Sequence, residues 1–161
     1  MDPRKLEQYK EIFQDVAPEK SGRHRNTKNT FNVSVFDHWL SVNEAESSSI
    51  LNYEKANSSG NINQYYEGEK KFIKLYSELA EAGVVCHVPP PYRFIECTTE
   101  LKSILTDSLR EMRRFDLYFP AYEVRVRGGF DRTDLFLVQN SAYVTKLISL
   151  VSKQGLCILM P

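Results

Sequence analysis

Long apolar runs are missing from this sequence. None of its 161 residues belongs to a stretch near the ~20 apolar residues of a membrane span, and its N-terminus, Met1-Asp2-Pro3-Arg4-Lys5, is charged where a secretory signal would be apolar. A dominant sign of charge is missing too. Its 21 Lys and Arg balance 21 Asp and Glu, so the chain as a whole exerts no pull on nucleic acid or anionic lipid, and any such binding must be local. Cysteine is scarce: Cys86, Cys97 and Cys157 form an odd set without C-x-x-C spacing, read as buried reduced thiols. Histidine is equally sparse, and His24, His38 and His87 offer no ligand or triad spacing. The expectation is a soluble, cytoplasmic protein with no membrane association, metal or cofactor.

Catalytic signatures are absent as well. The chain has no G-x-x-x-x-G-K-[ST] phosphate loop, no dinucleotide glycine fingerprint, no G-x-S-x-G elbow and no H-E-x-x-H helix. No residue is therefore assigned a catalytic role from motif alone.

What is present suits a globular domain: 42% hydrophobic, 26% charged and 12% aromatic residues. A chain of this length can bury roughly 70% of the surface its unfolded form exposes, enough for a core without staples. Hydrophobic periodicity predicts an α+β fold, a single domain spanning 1–161 in which a mixed β-sheet with a central hairpin at about 116–138 is covered by three to four helices. Polar loops are predicted near 18–30 and 56–63.

In chain order, Leu6, Tyr9, Phe13 and Val16 recur at helical spacing behind a helix start at Asp2-Pro3, and Pro18 ends the pattern. The polar stretch that follows carries Lys20, Arg23, Arg25 and Lys28 and reads as a solvated loop, the alternative being a basic arm for nucleic-acid phosphate. Phe31 to Phe36 alternates as a strand. Asp37 and His38 come next, and as strand neighbours they should point to opposite faces, which argues against a catalytic pair. Trp39, the sole tryptophan, is expected to close one end of the core.

Tyr65, Phe72, Leu75, Tyr76 and Leu79 mark a long amphipathic helix ended by Gly83, and Val84 to Val88 follows as a strand buried on both faces. His87 is expected in the core or at a sheet edge. Pro89, Pro90, Pro91 and Tyr92 spell the PPxY pattern read by WW domains, although a rigid connector between strands explains the same residues. A further helix carries Leu101, Ile104, Leu105, Leu109 and Met112, with Arg110, Arg113 and Arg114 placed to complement its C-terminal dipole. After the hairpin, Tyr143, Val144, Leu147, Ile148 and Val151 predict a last helix, then Gly155 and a final apolar strand.

The hairpin holds the densest charge. Tyr122, Val124 and Val126 should face one way and Glu123, Arg125 and Arg127 the other, with Gly128 and Gly129 supplying positive φ at the turn. Asp131, Arg132 and Asp134 would then gather beside that row. These six charged residues are the candidate partner-binding surface, and the favoured function is an immunity- or inhibitor-like module that neutralises or adapts another protein. The alternative is a metal-dependent enzyme acting on nucleic acid or phosphate esters through Glu123, Asp131 and Asp134. Its nearest template, Mg²⁺-dependent nucleotidyl transfer, needs two acids one residue apart on a strand, and Phe136 stands where the second should be.

Overall fold

Residues that alternate apolar and polar build the centre of this molecule, and stretches of helical period cover one side of it. The computed structural model describes residues 3–13, 29–96 and 98–160. Its strands are β1 (Thr30–Ser34), β2 (Val84–Val88), β3 (Arg93–Ile95), β4 (Asp116–Phe119), β5 (Val124–Arg127), β6 (Thr133–Val138) and β7 (Cys157–Leu159). They form one seven-stranded sheet in the order β3-β2-β4-β5-β6-β1-β7, with the expected hairpin at its centre. The α-helices are α1 (Pro3–Gln8), α2 (Lys10–Phe13), α3 (Val42–Ser47), α4 (Tyr53–Ser58), α5 (Ile62–Leu79), α6 (Thr98–Leu109) and α7 (Val144–Lys153). The class is α+β in a single domain, and no described helix is long and apolar enough to cross a membrane.

The sheet is not mixed: every neighbouring pair is antiparallel. Helical crossovers ordinarily join parallel strands, and they do so here, but never between neighbours. Helix α6 carries the chain from β3 to β4 with β2 between them, and α7 carries it from β6 to β7 with β1 between them. Each connection skips one antiparallel strand, the split form of the strand-helix-strand unit.

Helices α5, α6 and α7 bury their apolar stripes on one face, called the inner face below. Phe136 of β6 lies near the middle, stacked 5.4 Å from Phe31 and 6.3 Å from Tyr76 between ring centroids. Tyr65, Phe72, Leu75, Tyr76 and Leu79 of α5 are all buried, as the spacing predicted. Each such side chain contributes roughly 1.5–3 kcal/mol on burial. Helix α5 ends at Leu79, short of the predicted Gly83, which instead closes the turn after it at φ +80° and leads into β2; Gly155 (φ +67°) follows the α7 cap Gln154 in the left-handed conformation, just ahead of β7. The outer face carries a smaller aromatic cluster, in which Leu6, Tyr9, Ile12 and Phe13 of the N-terminal segment pack on Val85, Tyr118, Tyr92 and Phe94.

Several expectations are corrected. The supposed loop at 56–63 is mostly helix: α4 runs to Ser58 and α5 starts at Ile62, because Asn52 caps α4 and Ala56 packs at 0% exposure. Met112 leaves the α6 stripe because the helix ends at Leu109 and Glu111 turns the chain at φ +61°. Ile148 is exposed, while Leu147 and Val151 carry the α7 stripe. His87 is exposed on an interior strand, with its ring stacked on Phe13 at 4.9 Å. Gly128 and Gly129 are not the positive-φ residues of the hairpin turn; Asp131 and Arg132 are, both at φ +57°. The glycines are needed for space instead, since a Cβ on Gly129 would meet the Thr133 carbonyl oxygen at 2.1 Å.

Candidate functional site

The six hairpin charges do not form one surface. Arg125 points to the outer face, where it is 2% exposed and donates to both Asp116 carboxylate oxygens, from Nε at 2.8 Å and Nη2 at 2.6 Å. Its Nη1 donates to the Ile12 carbonyl at 2.9 Å, and the Phe13 ring covers it at 5.0 Å. Arg127, half-buried beside it, brings Nε to 3.6 Å from Asp116. Arg132 is buried over the Tyr65 ring (4.2 Å) and donates to the Tyr65 and Ile50 carbonyls at 2.9 and 3.3 Å. It reaches there because α5 offers Gly68, where a Cβ would lie 1.8 Å from Nη2.

Asp134 lies on the inner face, fully buried, and accepts from the Tyr76 hydroxyl and from the Gly129 N–H. Burial pushes its carboxyl from 3.8 up to about 6, against the opposing pull of those two donors. Glu123 sits ahead of β5 in the left-handed region, φ +46°. Asp131 is exposed at the turn, and no described side chain pairs with its carboxylate. The four residues of β5 separate Glu123 from the turn by roughly 16 Å. Glu123, Asp131 and Asp134 therefore do not converge, and no trio of His, Cys, Asp or Glu among the described residues is placed to hold a metal ion.

Other sequence candidates are taken up by the fold. Pro89, Pro90 and Pro91 form the β2–β3 connection, and Arg93 Nη1 donates to the Pro89 and Pro91 carbonyls at 2.9 and 2.7 Å. Tyr92 is half-buried, its hydroxyl donating to the Leu6 carbonyl at 2.6 Å. Arg110 forms a two-point pair with Glu69 at 2.7 and 2.9 Å between the Tyr53 and Tyr66 rings, Arg113 pairs with Asp107, and Arg114 sits 4.5 Å over Phe130. Side-chain partners, and not the α6 carbonyls, thus occupy these arginines. Lys20, Arg23, Arg25 and Lys28 lie outside the described residues, as do Val16, Pro18 and Cys97. Cys86 and Cys157 are unbridged, and burial raises the Cys86 thiol to about 11.

What the structure does assemble is a cleft at the hairpin tip on the outer face. Asn32, Thr133 and Leu159 contribute from the sheet, Gly129, Phe130 and Asp131 from the turn, and Phe36, His38, Trp39 and Leu40 from the loop after β1. Ala45 and Leu51 complete it, and its volume is about 280 Å³. Trp39 does not close the core. It is 54% exposed, and its indole N–H donates to the Met160 carbonyl at 2.9 Å, which fixes the ring at the cleft; Phe130 is 46% exposed.

Asp37 and His38 also depart from expectation. They lie in a bend beyond β1, where the strand rule for opposite faces lapses, and His38 Nδ1 is 2.6 Å from Asp37. Nε2 is 3.0 Å from Glu44, which closes a capping box with Ser41 at the start of α3. Hydrogen bonds to Asp37 and then Glu44 raise the His38 pKa above its usual 6.5. Bonds from the Ser41 hydroxyl and N–H, followed by His38, lower Glu44 to about 2. The array is exposed, and with a carboxylate on each ring nitrogen the imidazole has no free nitrogen for general-base chemistry. Sequence reading missed the cleft. Its legible signal was the Ser41-x-x-Glu44 capping pattern, which announces a helix just after Trp39 and hence a bend before it.

A second hollow, about 420 Å³, opens between the end of α5 and the start of α6, lined by Glu81, Gly83, Glu96 and Lys102 among others. Comparison with protein-family models, characterised proteins and solved structures finds no match to this chain.

Proposed function

We propose that the chain is a protein-binding module, of the kind that neutralises or adapts a partner, and that its contact surface is the cleft at the hairpin tip. The observation that carries this reading is the exposure of Trp39 and Phe130, 54% and 46%, around one cavity. Large aromatic side chains cost free energy when left in water, and the energetic centres of protein interfaces are enriched in such residues. Met160, 65% exposed and tied to Trp39 through its carbonyl, extends the apolar surface. Of the hairpin charges, Asp131 belongs to this surface, while Arg125, Arg132 and Asp134 are absorbed by the fold. A cytoplasmic setting accords with unbridged Cys86 and Cys157.

The metal-dependent reading lacks a comparable support, because its three acids lie apart. The WW-ligand reading would need Tyr92 to leave Leu6 and the outer aromatic cluster. The binding reading is tested by immobilising the wild-type chain and a Phe130→Ala variant, then purifying and reconstituting any retained protein. A partner bound by the wild type and weakened by about 2 kcal/mol or more in the variant supports it. Equal retention by both chains overturns it.

A further inference from the structure

Resting on that reading, we infer that the cleft takes a basic, arginine-bearing peptide segment of the partner, with one guanidinium seated between aromatic surface and the Asp131 carboxylate. At about 280 Å³ the cleft lies below the roughly 300–1,000 Å³ of small-molecule sites, and it suits one long side chain better than a whole ligand. Two aromatic residues line it: Trp39, whose indole is the best side-chain acceptor for a cation, and Phe130, whose ring already carries the Arg114 guanidinium at 4.5 Å.

Charge selects the occupant. Asp131 lines the cleft with no side-chain partner among the described residues, while Asp37 and Glu44 share the single His38 imidazole at its edge. Carboxylates therefore outnumber cations at the edge even when His38 is protonated. Arg114, which does not line the cleft, already lies 4.5 Å from the Phe130 centroid, so a guanidinium meets this ring without a hydrogen bond to anchor it. An acidic peptide would meet Asp131, Asp37 and Glu44, and a purely apolar one would leave Asp131 desolvated and unpaired.

Arginine fits better than lysine for a geometric reason. Its planar fork stacks on aromatic faces while donating in plane to a carboxylate, and it sheds its hydration more readily. Asp131 is held at φ +57°, a conformation that Asp and Asn adopt more readily than other non-glycine residues. An asparagine there removes the charge and keeps the turn.

Trp39 is the sole tryptophan, so its fluorescence reports on this cleft alone. Titration of the full chain with an oligo-arginine peptide is expected to give a saturable, salt-sensitive emission change, with oligo-serine and oligo-glutamate giving none. Asp131→Asn and Phe130→Ala, each first shown to keep the wild-type circular dichroism, are each expected to weaken binding about tenfold. The inference is overturned by no saturable change up to millimolar peptide, by an unaltered titration in Asp131→Asn, or by preference for oligo-glutamate. If it fails while partner retention still depends on Phe130, the binding-module reading stands and the partner's chemistry is different. If retention is indifferent to Phe130, that reading falls as well.

Discussion

Arg125 of β5 reaches diagonally across the ladder to Asp116 of β4, whose register partner is Arg127, and forms a two-point ion pair with it, over which α2 closes with the Ile12 carbonyl and the Phe13 ring. A residue placed by sequence on a partner surface is therefore an internal tie between the sheet and the first segment of the chain.

Breaking this pair from one side is predicted to be costly. Asp116→Ala removes the carboxylate that the buried Arg125 guanidinium holds at two points and should destabilise by about 3–5 kcal/mol. An Arg125→Met, Asp116→Leu double change removes both charges and should recover most of that loss. Urea denaturation of the three chains measures it, and a double variant no better than Asp116→Ala would refute the desolvation account.

Asp134 makes stability depend on pH. Its folded-state value, about 6, lies above the ordinary 3.8, so the folded state holds the proton more tightly. The associated stabilisation is fully present below the ordinary value and is lost as pH rises through about 6. A shift of this size corresponds to about 3 kcal/mol between the two protonation states. In Asp134→Asn, which has no titrating group there, this falling component should vanish from a plot of unfolding free energy against pH. A curve superimposable on the wild type would show that Asp134 titrates normally.

Gly68 and Arg132 should behave as one unit. A methyl group at position 68 collides with the guanidinium that holds the Tyr65 and Ile50 carbonyls, so Gly68→Ala should destabilise by roughly 1–3 kcal/mol despite the better helix propensity of alanine. Arg132→Ala removes the obstacle, and the double variant should be less destabilised than the sum of the singles. Strict additivity in thermal or chemical denaturation would mean that the two residues do not share their space.

The core was readable because its signal is periodic: the α5 stripe and the β6 alternation follow from the sequence by geometry alone, as does the glycine that follows the end of α7. The site was not, because its residues obey no period. Treating Asp37 and His38 as strand neighbours of β1 hides the His38 ion pairs, and an apolar ring is by itself no guide to whether it closes the core or stands exposed, as Trp39 does. The hairpin charges misled for another reason. Alternation correctly separates Arg125 from Val124 and Val126, but it is silent on what covers the second face of a sheet, and here the N-terminal helices cover part of it. Arg132 escaped because the space it needs comes from Gly68, far away in the chain. The antiparallel order was hidden because a helix between two strands says nothing of which strand is later inserted between them.

Strand β1 is inserted in this way between β6 and β7, and Ser34 meets the Arg132 carbonyl across 98 residues of sequence. On the ribosome, Phe31 and Val33 emerge long before either neighbouring strand has been made. No local hairpin can shelter them, since both ladders of β1 are formed with strands from the far part of the chain. Pairing of β1 therefore waits for β6 and β7, and until they are made the nascent chain must carry Phe31 and Val33 on an unpaired strand, the condition under which chaperone contact and slow, non-local assembly are favoured.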